Sequence, residues 1–235
     1  MDPKDSSTPS HQTPSTPTPQ HPIPPPMARI LITSGPTRQY LDPVRYLTNA
    51  SSGRMGRALA GAALDRGHDV VIVSGPVAVE YPAPAEVVWV VSTEEMLAAA
   101  SEAFDRCDGF IGVAAPCDYR PIRVESNKIA KTGAPLQLNL VETDDVVATL
   151  GCRKGNRWVV GFALETEDHR IRALVKLERK CCDLMISNST DAMNAARNRV
   201  EVLDADGTVV SQFSGPKEDV ARGILAIVEE RLIGR

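Results

Sequence analysis

From Ala28 onward, apolar runs of strand length alternate with stretches in which apolar residues recur at helical spacing. This alternation is the mark of a mostly parallel sheet. Parallel strands need long crossover connections, the crossovers are usually helices, and strands covered on both faces read as nearly unbroken Val, Ile and Leu. Strands are predicted at Ala28–Ile32, Asp69–Ser74, Glu86–Val91, Asp108–Ala115, Leu136–Val141, Trp158–Phe162 and Asp183–Ser187. Helices are predicted from about Met55, over Thr93–Arg106 with Thr93 as cap, over Asp144–Leu150 and Glu167–Lys180, and from Gly215-Pro216 to about Leu232. Arg199–Leu203 and Thr208–Gln212 flank Asp206-Gly207, a strong hairpin signal. The expected fold is α/β: a doubly wound, Rossmann-like, mostly parallel sheet with a late antiparallel hairpin.

The first connection is unusually long. Between the first strand and the helix marked by Met55, Leu59, Ala62 and Ala63 lies Thr33–Gly56, T-S-G-P-T-R-Q-Y-L-D-P-V-R-Y-L-T-N-A-S-S-G-R-M-G. Strand-to-helix loops in α/β units usually run about 2–6 residues, and longer ones without structure of their own tend to be functional. Its glycines, hydroxyl residues, Asp42, Asn49, Arg38 and Arg45 suit an anionic ligand at a helix N-terminus. Doubly wound sheets bind ligands beyond the carboxyl ends of their strands. The loop is therefore expected to converge with Ser74-Gly75, Ala114–Asp118, Phe162–Glu165 and Asn188 on one crevice.

Composition narrows the function classes. The 235 residues, 43% of them hydrophobic, can build one large α/β domain. A net charge of -4 gives no general attraction to nucleic acid or to an anionic membrane, and neither partner is expected. There is no apolar run near the roughly 18 residues of a membrane span and no apolar core of a signal peptide, so a cytoplasmic location is expected. Residues 1–26, rich in Pro, Thr and Ser, are expected to form a disordered tail, with the folded domain over 27–235 and Met27 as an alternative start. The five cysteines are odd in number and lack C-x-x-C spacing, and of the four histidines only His68 and His169 lie outside the tail. Free thiols and no protein-built metal centre follow.

A dinucleotide site fits poorly. Gly35, Gly53 and Gly56 do not make G-x-G-x-x-G, and the second strand ends in Ser74-Gly75-Pro76 without an acidic residue for a ribose. An NAD(P)-dependent reductase is therefore the weakest reading.

Read together, Asp42-Pro43-Val44-Arg45, Asn49, Ser51-Ser52-Gly53-Arg54-Met55-Gly56 and Ser74-Gly75-Pro76 give the chain a specific likeness. It resembles the phosphopantothenate-cysteine ligase (phosphopantothenoylcysteine synthetase) family of coenzyme A biosynthesis. Ala114-Ala115-x-x-Asp118-Tyr119, Lys128-Ile129-x-Lys131, Gly161-Phe162-Ala163-x-Glu165-Thr166 and Asn188 follow in the family's order, and the resemblance covers about residues 28–232.

The resemblance implies a two-step reaction. The carboxylate of 4′-phosphopantothenate attacks the α-phosphate of CTP to give an acyl-cytidylate and pyrophosphate, and the amine of L-cysteine then displaces CMP. By the same resemblance Asn49 contacts the acyl group, Arg45 supplies a cation for the substrate's phosphate or carboxylate, and Lys128 assists the acyl-nucleotide chemistry. Gly112, Val113 and Ala114 form a backbone-contact segment, Asp118 recognises the nucleotide, Asp145, Val146, Val147 and Ala148 make a nucleotide-contacting turn, Phe162 lies near the base, and Lys176 and Lys180 serve the triphosphate. Spacing supports the last pair independently, because i and i+4 share a helix face. The chain departs from the family at Pro116-Cys117 and Leu164, beside the proposed nucleotide pocket. The retained lysine motif favours CTP over ATP. Cys117 is read as structural.

The family further implies Mg²⁺ held mainly by the nucleotide phosphates, a homodimer, and in many bacteria a flavin-dependent decarboxylase on the same chain. Here a separate decarboxylase is the corresponding partner, and no flavin is expected in this chain. The alternative from another class is a non-catalytic nucleotide-binding protein of the same fold.

Overall fold

The computed structural model describes residues 27–165, 169–189 and 198–234. The tail and the predicted start of the fourth helix at Glu167 lie outside them. The chain begins with β1 (Arg29–Ser34), whose six residues carry alternate side chains to opposite faces of the sheet. Ile30 and Ile32 pack on one side and Leu31 on the other, and all three are fully buried. A strand buried on both faces reads as a nearly continuous apolar run, here Ile30 to Ile32, which is why it could be read from sequence.

A two-stranded ribbon follows, β2 (Arg38–Asp42) paired antiparallel with β3 (Arg45–Thr48). The long first connection is thus largely ordered as a hairpin, where an irregular loop was expected. Its sequence hid this because the pair stands apart from the main sheet and its side chains alternate only weakly between apolar and polar. Next come α1 (Arg54–Asp65), β4 (Asp69–Ser74), β5 (Glu86–Trp89), α2 (Thr93–Phe104) and β6 (Gly109–Gly112). The α2 cap is Ser92, which accepts a hydrogen bond from the Glu95 amide at 3.1 Å. The expected cap, Thr93, is instead buried, with Oγ1 2.8 Å from Thr37 Oγ1.

A second ribbon joins β7 (Tyr119–Pro121) to β8 (Leu140–Glu142). The predicted strand over Leu136–Val141 shortens to this pair because Leu136 and Leu138 project into solvent instead of onto a sheet. The chain then continues through α3 (Val146–Cys152), β9 (Trp158–Glu165), α4 (His169–Arg179), β10 (Leu184–Ser189), β11 (Asn198–Asp204), β12 (Val209–Gly215) and α5 (Lys217–Val228), which ends in a π-helical turn over Glu229–Ile233.

The main sheet has eight strands in the order β12-β11-β10-β9-β6-β1-β4-β5. The pairs from β10 to β5 are parallel, whereas β11 runs antiparallel to both β10 and β12. This is the doubly wound sheet with a late antiparallel hairpin that the sequence predicts. One face is covered by α1 and α5 through Leu59, Ala62, Ile224 and Leu225. The other is covered by α2, α3 and α4 through Met96, Phe104, Leu150 and Leu177. Strand order reverses at β1, which lies between β6 and β4, so the crevice for a ligand opens at the carboxyl ends of β1 and β6.

The chain is drawn tightly together there. Gly75 leaves β4 so close to the segment after β1 that a Cβ on it would lie 1.7 Å from the Pro36 carbonyl oxygen. Pro36 in turn bridges Ala115, beyond the end of β6. A Gly75→Ala substitution must therefore push backbone away from backbone, at a cost of about 1–3 kcal/mol. Thermal denaturation should show a melting temperature several degrees below that of the unaltered chain, and an unchanged value would show that this approach is not rigid.

Candidate active site at the carboxyl edge of the sheet

Asp42 ends β2 and is fully buried. Its Oδ1 accepts the Val44 and Arg45 amides at 2.8 and 2.9 Å. Its Oδ2 accepts Arg45 Nη1 at 3.0 Å and the Ile129 amide at 3.0 Å. Burial alone would raise the carboxyl's pKa. The amides of Ile129, Val44 and Arg45 and the Arg45 guanidinium outweigh it, and the value lies below the ordinary carboxylate range. Arg45 Nη1 also donates to the Ile129 carbonyl at 2.9 Å. Asp42 is thus the knot that ties the hairpin to the segment carrying Lys128, although Ile129 lies 87 positions further along the chain.

A second set of ties fixes the exit from β6. The Asn49 side-chain amide donates to the Pro116 carbonyl at 2.8 Å. The Cys117 amide donates to Thr37 Oγ1 at 2.8 Å, and the Cys117 carbonyl accepts from Thr93 Oγ1 and Thr143 Oγ1 at 3.1 and 2.6 Å. With both of its backbone polar groups held, Cys117 sets the position of Asp118. Its thiol is buried, and that burial pushes its pKa up, so it is a poor nucleophile and reads as structural.

Two cavities open at this edge, one on each face of the sheet. The first, about 670 Å³, lies on the α2–α4 side. Gly112, Ala114, Asp118, Asp145, Val146, Val147, Ala148, Phe162 and Lys180 all line it, which gathers most of the nucleotide residues expected from sequence. Asp145 caps α3, accepting the Ala148 amide at 3.1 Å, and forms ion pairs with Lys180 at 3.1 Å and Arg179 at 3.6 Å. Burial would raise its pKa, but Lys180 foremost, then the Ala148 amide and Arg179, bring it below the usual value.

The second cavity, about 360 Å³, lies on the α1–α5 side and is lined by Ala50 to Gly56, Val113 to Ala115, Phe162 to Leu164, Asn188 and Lys217. It faces the start of α1, whose cap residue Gly53 supplies no side-chain hydrogen bond. Lys217 is disfavoured as a cation by burial first and by neighbouring Arg54 second, while Glu218 acts the other way. Among the described residues, Asn188 Oδ1 is buried and finds no hydrogen-bond donor. Ala114 and Phe162 line both cavities, so the two adjoin at these residues.

Some expected residues stand apart. Lys128 is exposed and lines a third cavity, beneath its own segment with Leu41, Ile122 and Leu136. Arg45 and Asn49 border the site through their backbone ties and line neither of the first two cavities. Lys176 sits one turn before Lys180 on α4 and does not line the first cavity.

A model of the family described as DNA/pantothenate metabolism flavoprotein C-terminal domain (DFP) matches residues 27–232. The chain belongs to this family. It is 40% identical over 185 residues to the coenzyme A biosynthesis bifunctional protein CoaBC of Vibrio vulnificus strain CMCP6, covering 76% of this chain and 46% of that protein. It is 41% identical over 189 residues to the CoaBC of Escherichia coli K12, covering 77% and 47%. A protein named cysteine/cysteine sulfinic acid decarboxylase, from an unknown prokaryotic organism, is 39% identical over 204 residues, covering 84% of this chain and 56% of that one. The chain spans about half the length of these curated relatives. Among solved structures, the C-terminal domain of CoaBC superposes with a TM-score of 0.73 at 37% identity, covering 87% of this chain and 95% of that one. A Cab2 variant in complex with phosphopantothenate-cysteine shares the fold at a TM-score of 0.73 and 16% identity, covering 86% and 85%.

Within this DFP-family domain the sequence assigned no site role to Glu142, Thr143, Asp144 and Arg179 in the first cavity or to Arg54 and Lys217 in the second, whereas Asn188, expected at this crevice, lines the second. Asp144 and Arg179 adjoin residues that were named, so proximity was the available signal. Nothing local links Lys217 to Arg54.

Asp42 and Asp145 give the domain an acid limit of definite sign. Both have folded-state values below the ordinary 3.8, so their contribution is complete above that pH and is lost as pH falls through the lowered values. Replacing Asp42 by Asn leaves two donors facing an amide that cannot accept from them. Hydrogen exchange at the Ile129 amide should speed up in Asp42→Asn at neutral pH, and unfolding between pH 4 and pH 2, about the range of a lowered carboxyl pKa, should become less steep. Unchanged exchange at Ile129 would contradict the role given to Asp42.

Proposed function

We propose that this domain is a nucleotide-activated phosphopantothenate-cysteine ligase that works through an acyl-nucleotide, with CTP as the nucleotide. The observation that carries the reading is the pair of cavities meeting at Ala114 and Phe162. A reaction that joins an acid to a nucleotide and then hands the acyl group to an amine needs two adjoining pockets open to each other at the reacting atoms. Membership of the DFP family and 37% identity to the CoaBC C-terminal domain support the same assignment.

In this reading the nucleotide occupies the first cavity. Asp118 and Asp145 offer acceptors to ribose hydroxyls or a base amino group, Gly112 and Ala114 let the ligand approach the backbone, and Lys180 and Arg179 face the phosphates. Phosphopantothenate occupies the second cavity, its phosphate drawn by the α1 N-terminus, Arg54 and Lys217. Asn188 Oδ1, left without a donor, accepts from an N–H or O–H of this substrate or from the cysteine amine. Asn49 and Arg45, fixed at the border of the site, donate to the acyl oxygen and the carboxylate as these develop charge. Lys128 enters from its exposed segment, which Asp42 anchors one residue away at Ile129.

Magnesium would shield the triphosphate. Hard oxygen donors suit that ion, and Asp118, Glu142 and Asp144 line the first cavity. Among the described residues no three His, Cys, Asp or Glu side chains form a metal-binding group; in this reading phosphates and water supply most of the ion's ligands. A homodimer is part of this reading. Tyr40, Val44 and Tyr46 on the first ribbon, with Ile122, Leu136, Leu138 and Leu140 around the second, are exposed apolar side chains of the sort an interface covers. No helix among the described residues is long and apolar enough to cross a membrane.

Pyrophosphate release from purified protein given Mg²⁺, CTP and 4′-phosphopantothenate tests the reading, with cysteine added afterwards to form the amide. Release should depend on phosphopantothenate and should be faster with CTP than with ATP; no such release with either nucleotide would overturn it. Lys180→Met should raise the KM for the nucleotide about tenfold or more, by loss of a charge-assisted bond to phosphate. Lys128→Gln should lower turnover about 10²-fold, and an unchanged rate would remove that lysine from the chemistry.

A further inference from the structure

Behind the first cavity, the end of α3 and the turn after α4 meet with two thiols between them. Cys152 is the last residue of α3, and Cys181 occupies the turn with φ of 50°, a left-handed conformation unusual for a residue with a side chain. Both are exposed, and their sulfurs stand 3.6 Å apart. The approach is built into the backbone. A Cβ on Gly151 would lie 2.0 Å from the Lys180 carbonyl oxygen, so only glycine lets the two segments come this close. Lys154 adds a second tie through its ion pair with Asp183 at 2.6 Å.

The other cysteines are unlike this pair. Cys107, Cys117 and Cys182 are buried. Cys182, next to Cys181 in sequence, has its pKa pushed up to about 12 by burial, which removes it as a competing nucleophile.

We propose that Cys152 and Cys181 are a reversible redox pair that a low-molecular-weight disulfide converts to an intrachain disulfide. One thiolate attacks a sulfur of glutathione disulfide, forming a mixed disulfide and expelling one glutathione thiolate. The second thiolate attacks the protein sulfur of that mixed disulfide, closing the intrachain bond and expelling the second glutathione. The two protein thiols are oxidised, one glutathione disulfide is reduced to two thiols, and the protons lost from the cysteines pass to the departing thiolates. Closure is favoured because the second sulfur is already beside the first.

The bond would complete a bracket around the nucleotide pocket. At its front end α3 is held to the same turn by the Asp145–Lys180 ion pair, and Lys180 immediately precedes Cys181. Oxidation therefore fixes both ends of α3 against the turn that carries Lys180. The inference rests on thiol geometry alone and stands whether or not the domain catalyses the proposed ligation.

Incubation of the purified chain with oxidised glutathione, followed by non-reducing peptide mapping, tests it. The expected product has lost the mass of two hydrogens, contains a Cys152–Cys181 linked peptide, and melts about 5–10 °C higher, all reversed by dithiothreitol. Cys152→Ser and Cys181→Ser should each instead hold one glutathione on the remaining thiol, with no rise in melting temperature. Stable glutathione adducts on the unaltered chain, disulfide-linked dimers through Cys152 or Cys181, or thiols that both stay open to alkylation would overturn the proposal.

Discussion

The site depends on one buried carboxylate. Asp42 gathers four donors, from Val44, Arg45 and Ile129, on two oxygens that water does not reach. A buried charge is stable only when it is satisfied in this way. Its satisfaction draws two separated pieces into one geometry: the hairpin, with the arginine expected to meet the substrate, and the segment that holds Lys128. The threonines that grip Cys117 do the same work on the other side of the crevice, without charge. Between them, the two loops that leave β1 and β6 are fixed by polar contacts to each other, while the apolar core fixes only the strands they leave.

The sheet then divides the labour between its faces. The α2–α4 side offers carboxylates beside Lys180 and Arg179, a mixed surface suited to a ligand with hydroxyls, amines and phosphates. The α1–α5 side offers a helix N-terminus and crowded cations, suited to an anion. Because successive side chains of a strand point to opposite faces, the exit of β6 can serve both, with Val113 turned to one cavity and Ala114 placed where both meet.

The main sheet was legible because its central strands are buried on both faces and its hairpin carries Asp-Gly. The ribbons were not. In β2 and β3 the pairing is supported by contacts to a segment more than eighty residues away, and no local pattern reports such a partner. Leu136 and Leu138 misled in the opposite direction, since their alternation reads as a half-buried strand although both side chains are exposed. The Asp145–Ala148 turn was legible through the family resemblance, and Lys180 through the resemblance and helical spacing, and the structure brings them together. Lys176 shares that spacing but not the cavity, because helical periodicity fixes a face and not the distance along it. Asp42 was only half legible: D-P announces a turn, whereas its role as an anchor follows from the tertiary fold.

A crystal structure of the domain with Mg²⁺, CTP and 4′-phosphopantothenate, in the absence of cysteine, measures the central claim most directly. The account predicts an acyl-cytidylate spanning both faces, its nucleotide beside Asp118 and Lys180, its phosphopantothenoyl arm along Ser51 to Gly56, and its reactive carbonyl at Ala114. A ligand lying wholly within one cavity, with the other empty, would contradict it.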